Sequence, residues 1–304
     1  VTSSEPSTIQ LSLEGGRGVV RATIDRVGAS LNNAEIDGVE VVPGWHADVS
    51  RPFSAGVTLA PWPNRIRDGR WSWEGEDLQL KVSEPDRQTA LHGLVDDARW
   101  DVSNHTSFSV TLVTQIDPTP GYPFALALSM DYLLRDGGVE CSFTAVNIGD
   151  APAPCAVGFH PFLCLGRHPV RSLTLHSPVS EVVVVDDRLL PIGIDEARHS
   201  PFNPAGGVAL AHAQFDTGFR LEGEGPWVTR LVAADETSVE LWQSEHLGWI
   251  QFFLTDEFPG PRGAQSALAV EPMSAPADAF NSGTDLWVLE PGQQTQARWG
   301  IRLG

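Results

Sequence analysis

Five short stretches of this 304-residue chain carry side chains fit for chemistry: Asn64-Arg65-Ile66, Leu91-His92-Gly93, Gly158-Phe159-His160-Pro161-Phe162, Phe215-Asp216 and Val270-Glu271-Pro272. Each sets a titratable or hydrogen-bonding group at an expected turn or strand end, where a scaffold can present it to a ligand. Together they offer an arginine, two histidines and two carboxylates, without a metal motif or an obvious nucleophile. That set suits acid/base chemistry on a small polar molecule.

The residues differ in how much each says alone. His160 is flanked by aromatics and fixed by Pro161, which restricts it to extended backbone. Apolar neighbours desolvate an imidazole and disfavour its cation; the same features fit a core histidine bonded to a backbone carbonyl. Glu271 directly continues the apolar run Ala267–Val270, a costly place for a charge unless it has partners. Arg65 and Asn64 follow Pro61 and Pro63, which deny that segment a central strand. They serve either a ligand or a salt-bridged turn. His92 reads as a ligand contact or a bonded strand-end residue, and Asp216 as a ligand contact or an Asx-turn. The remaining histidines, His46, His105, His168, His176, His199, His212 and His246, show no metal-ligand spacing.

These residues need elements to position them, and the dominant pattern is alternation with a period of two. Phe124, Leu126, Leu128, Met130, Tyr132 and Leu134 share one face of an expected strand, and Val139, Cys141, Phe143 and Ala145 repeat the pattern after the turn Asp136-Gly137-Gly138. Phe108, Val110 and Leu112 alternate likewise, as do Leu173 with Leu175 and Val239 with Leu241. Arg70–Gly75 reads as a hairpin, and Ala277–Gly283 as a polar turn fit to cap one wall of a cleft. Sustained helical periodicity is nearly absent, while 29 glycines and 23 prolines punctuate the chain. The expectation is an all-β protein, a large antiparallel β-sandwich forming a single domain over residues 1–304.

A formal charge of −19 argues against nucleic acid or an anionic membrane as partner. Lys81 is the only lysine, so any Schiff-base route would have to run through it. Cys141, Cys155 and Cys164 form no CxxC pair and read as free thiols in a reducing compartment. With no signal-peptide pattern in Val1–Ser12 and no apolar run of membrane-spanning length, a cytoplasmic protein is expected.

The joint order of these motifs resembles the aldose 1-epimerases (galactose mutarotases), most closely the bacterial branch carrying Pro-Trp-Pro-Asn-Arg-Ile, here Pro61–Ile66. The likeness runs from about Thr58 to Trp299. It includes Leu91–Leu94, Gly158–Phe162, Phe215–Thr217, Ile250-Gln251-Phe252, Glu271-Pro272-Met273 with Asp278–Asn281, and Leu289–Gly292. The resemblance implies a galactose mutarotase-like supersandwich that interconverts the α and β anomers of a free aldose such as glucose or galactose. By the same resemblance, Glu271 is the general base and His160 the general acid, while Asn64, Arg65, His92, Asp216 and Gln251 bind or orient the sugar. No cofactor or metal is implied; the partner is a monosaccharide, and the enzyme a monomer or homodimer. Two departures bear on sugar preference: Leu163 follows Phe162 where the family often has a second aromatic, and Ser274-Ala275-Pro276-Ala277 stands where this branch tends to have Thr-Cys-Pro-Pro.

Anomer exchange opens the C1–O5 bond, rotates about C1–C2 and recloses on the other carbonyl face. A carboxylate, ordinarily ionised at neutral pH, would take the C1 hydroxyl proton, and an imidazole would supply one to O5. On this reading the two face each other across a gap the width of one pyranose, and Trp62 is a candidate to pack on the sugar's C–H surface. Other readings are a noncatalytic sugar-binding sandwich, a glycoside hydrolase or lyase, and a hexose-6-phosphate mutarotase using Arg65, Arg67 and Arg70.

Overall fold

The computed structural model describes residues 7–45, 50–260 and 263–304; His46 and the first six residues lie outside them. Alternation translates into antiparallel sheet. Leu126–Arg135 buries Leu126, Leu128, Met130, Tyr132 and Leu134 and pairs with Gly138–Asn147 through a two-residue turn at Asp136-Gly137. That hairpin sits within a nine-stranded sheet that also holds Ser109–Ile116, Gln294–Leu303, Ser238–Gln243 and Trp227–Val232. Val110 and Leu112 are buried there as expected, as are Leu175, Val239 and Leu241. Phe108 departs from the pattern: it precedes its strand and is 41% exposed.

An eight-stranded sheet runs in the order Pro191–Glu196, Val179–Val185, Asp216–Leu221, Trp249–Gly260, Gly263–Met273, Gly158–Phe159, Thr58–Leu59, with Phe162–Leu163 also pairing on Gly263–Met273. Its inner face contributes Phe159, Phe219, Ile250, Phe252, Leu268 and Val270 to the main core, where they meet Cys141, Phe143 and Trp299 of the nine-stranded sheet. Phe159 forms the seam, 6.0 Å from the Phe143 ring and 5.4 Å from that of Trp299. Burying such aromatics supplies much of the driving force for closing a sandwich. A four-stranded sheet, Thr8–Gly15 to Val39–Val42, adds its apolar face to the same core.

The three cysteines are free and buried, and burial pushes the Cys155 thiol up to about 12, so they act as small core hydrophobes. Among the described residues no helix is long and apolar enough to cross a membrane.

Candidate active site

Strand register alone brings half of the site together. Gly218 pairs with Gln251 and Gln251 with Glu271. Gly158 pairs with Met273 and Phe162 with Ala269, so His160 falls opposite Glu271. Side chains alternate across a strand; with Phe159, Phe252 and Val270 turned to the core, His160, Gln251 and Glu271 share the opposite face. Two residues along, Asp216 lies on that face too, and its Oδ1 accepts a hydrogen bond of 2.8 Å from Gln251 Nε2. Asp216 is therefore the first residue of a strand and bonded across the sheet, rather than the head of an Asx-turn.

Loops supply the other half. Asn64 and His92 both hold positive φ, 56° and 65°, and the His92 N–H donates to the Asn64 carbonyl at 2.9 Å. Arg65–Arg67 pairs with Thr89–Leu91, joining the two loops. Gly93 explains its own identity: at φ 84° it packs so closely on Ala60 that any Cβ would collide with the Ala60 backbone. The expected polar turn after Glu271 is a short helix, Ala279–Ser282. Asp278, just before it, donates its N–H to the Arg65 carbonyl at 2.7 Å and accepts the Arg67 N–H at 3.0 Å. Segments distant in sequence thus meet at one place.

At the centre, His160 Nε2 lies 3.5 Å from Glu271 Oε1. The two are in near contact, not a pyranose-width apart, because register places them on neighbouring strands. The His92 ring stands edge-on to that of His160, centroids 5.5 Å apart. His160 Nδ1, His92 Nδ1, Glu271 Oε2 and Thr58 Oγ1 are buried without a hydrogen-bond partner. Such unsatisfied groups are rare in folded proteins and mark a strained or functional site.

Burial sets the protonation states. Desolvation raises the Glu271 pKa well above its ordinary value, with the Asp216 charge adding to the rise and Arg65 opposing it. Desolvation also depresses His160 to about 4, a weak interaction with its own backbone carbonyl partly offsetting the fall. His92 is also held well below its ordinary value, by burial first and then by the charges of His160 and Arg65. Burial thus favours the uncharged pair, a carboxylic acid beside a neutral imidazole, over the carboxylate and imidazolium that the reaction calls for. Both descriptions hold the same single proton, and moving it from Glu271 to His160 creates the working base and acid together.

Beside this pair lies a narrow recess lined on one side by Asn64, Arg65, Asp216 and Gln251; His160, His92 and Glu271 sit behind that lining rather than in it. Its other wall is apolar, with Val183, Val185, Trp249 and Met273 packed as one cluster. Trp249, and not Trp62, lines this recess. Trp62 is instead 2% exposed, packs edge-on to Phe280 and donates its indole N–H to the Ala90 carbonyl. Arg65 is neither at the surface nor free: its Nε and Nη2 grip both oxygens of Glu84 at 2.8 and 3.0 Å. Glu84, Trp249 and the valines escape sequence reading because only pairing reveals their positions.

The family model for aldose 1-epimerase matches residues 10–302. The chain belongs to the aldose 1-epimerase family. It is 34% identical over 296 residues, 96% of this chain and 92% of the relative, to the "Uncharacterized protein YihR" of Escherichia coli (strain K12). It is 28% identical over 142 residues to the aldose 1-epimerase of the same organism, covering 45% of this chain and 40% of that one. The fold matches the aldose epimerase homologue from C. elegans with a TM-score of 0.84 at 19% identity, covering 98% and 99% of the two chains. It also matches the galactose 1-epimerase of Lactobacillus acidophilus NCFM with a TM-score of 0.81 at 18% identity, over 100% and 96%. The all-β, galactose mutarotase-like sandwich expected from the alternation and motifs is the fold found.

Proposed function

We propose that this member of the family is a mutarotase that interconverts the α and β anomers of a free, uncharged aldose. The observation that carries the reading is the buried contact between His160 and Glu271. In a pyranose the C1 hydroxyl and the ring oxygen are bonded to the same carbon, so the group that takes a proton and the group that gives one must sit side by side. A pair 3.5 Å apart meets that demand. Glycosidases, by contrast, set two carboxyl groups roughly 5–9.5 Å apart on either side of a bond.

On binding, sugar hydroxyls supply partners for the buried polar atoms and stabilise the charge-separated form of the pair. Glu271 takes the C1 hydroxyl proton as the C1–O5 bond breaks, and His160 delivers its proton to O5. After rotation about C1–C2 the roles reverse, and the closed ring leaves the site with the proton inventory restored. Asn64, His92, Asp216 and Gln251 orient hydroxyls, Arg65 adds charge-assisted donation, and Trp249 offers an apolar wall to ring C–H groups. A phosphate subsite is poorly served, since Arg67 is committed to Asp186 and Asp278 and Arg70 to Gln79.

The test is polarimetry or NMR exchange on freshly dissolved α-aldoses, corrected for the spontaneous rate, across hexoses and pentoses. Acceleration of at least one neutral aldose at micromolar enzyme is expected. Sugar binding without acceleration would establish a noncatalytic binder, and acceleration confined to sugar phosphates would overturn the substrate class.

A further inference from the structure

We propose that Glu84 is a positioning residue of the active site: it holds the Arg65 guanidinium away from Asp216, so that Asp216 remains open to sugar hydroxyls. The inference rests on the mutarotase reading for its kinetic consequences, but its structural core does not.

Glu84 reaches the site from a turn unconnected in sequence to the motifs around it. The turn Glu84–Thr89 is closed on itself, with the Thr89 N–H donating to the Glu84 carbonyl and the Glu84 N–H to that of Thr89. The carboxylate then receives three hydrogen bonds and one further ion-pair contact. Arg65 binds both its oxygens through Nε and Nη2, the Thr89 hydroxyl donates at 2.6 Å, and Arg87 Nε lies 3.4 Å away. Burial acts to raise the Glu84 pKa, but the bonds from Arg65 and Thr89 and the charges of Arg65 and Arg87 outweigh it, so the carboxylate stays ionised. A bidentate arginine–carboxylate fork is the most directional ion pair available to a protein.

Arg65 has another candidate partner. Asp216 lines the same recess, is half-buried, and already interacts with the Arg65 charge. Its Oδ1 is nevertheless bonded by Gln251, while the Arg65 fork points to Glu84. An arginine side chain is long and flexible, and a closed Arg65–Asp216 pair would satisfy both charges across the space a sugar must enter. Glu84 resolves the competition. It also offsets part of the Arg65 charge, which opposes the raised pKa of Glu271: a neutral side chain at position 84 would leave that guanidinium charge uncompensated.

The experiment is Glu84→Gln, which keeps the shape and removes the charge, with Glu84→Asp as a second variant that keeps the charge and shortens the reach. Crystal structures of both give a readout independent of turnover. In Glu84→Gln the Arg65 guanidinium is expected to turn toward Asp216, and in Glu84→Asp to remain on residue 84. Kinetically, Glu84→Gln should raise KM roughly tenfold, change kcat less than threefold, and move the alkaline limb of the pH profile to lower pH; Glu84→Asp should restore most of the loss. An Arg65 that stays in place in Glu84→Gln, with KM and profile as in the parent, would overturn the proposal. So would a fall in melting temperature with no change in Arg65 or in the pH profile, which would make Glu84 a stabilising residue only. If the parent enzyme accelerates no aldose, the mutarotase reading fails while the Arg65 position still decides this one.

Discussion

The two halves of the site are built by different means. Glu271, Gln251 and Asp216 stand on the sheet, where pairing fixes each relative to the next and a single cross-strand bond from Gln251 to Asp216 suffices. Asn64, Arg65 and His92 stand on loops, and there every side chain needs its own restraint: positive φ at Asn64 and His92, a glycine pressed on Ala60, Glu84 on Arg65, and Asp278 beneath the loop. A sheet positions functional groups at little extra cost. A loop does so only through a ring of local bonds, and is correspondingly easier to break.

That contrast yields predictions of decreasing size. On the sheet side, Glu271→Gln and His160→Ala should leave the fold intact and each cut mutarotation by about 10²–10⁴-fold, measured as kcat at saturating sugar. On the loop side, Gly93→Ala should act on folding instead: the new methyl group meets the Ala60 backbone at a φ that L-residues avoid, for a loss of about 1–3 kcal/mol in unfolding free energy, read from denaturant titration. Asp216→Asn should raise KM on the order of tenfold with little change in kcat, since the strand still places the side chain and only its charge is gone.

The smallest effect concerns the sheet half alone. Glu271 has a raised pKa when folded, so the folded state holds a proton that the unfolded chain releases above about pH 4.3. This group's contribution is therefore full at low pH and lost as pH rises through its folded pKa. Glu271→Gln removes that loss and should stabilise the protein at neutral pH by about 1 kcal/mol, less at pH 4, as melting temperatures at the two pH values would show. His160 has the opposite sign: its depressed pKa makes its contribution full above about pH 6.5 and lost as pH falls toward 4.

The same division describes what could be read from sequence. Alternation from Leu126 to Leu134 announces a half-buried strand because one face must enter the core, and the structure shows it. Of the motif residues, Asn64, Arg65, Asp216 and Gln251 line one recess, and His92, His160 and Glu271 cluster next to it. What pairing decides was hidden: the contact of His160 with Glu271, the outward face shared by Trp249 and Val183, and the capture of Arg65 by Glu84 are relations between strands and loops far apart in the chain. Trp62 misled for a related reason, since proximity to Asn64 along the backbone says nothing about which way an indole turns. The protonation states were equally out of reach, because composition does not reveal that both members of the pair are dry.

The pH dependence of kcat/KM for a good aldose substrate tests the central claim most directly. A buried pair sharing one proton predicts an acid limb that holds level down through pH 6.5 and falls near pH 4, where His160 gains a second proton for the pair. A midpoint at the ordinary imidazole value of about 6.5, or a profile unchanged by Glu271→Gln, would contradict it.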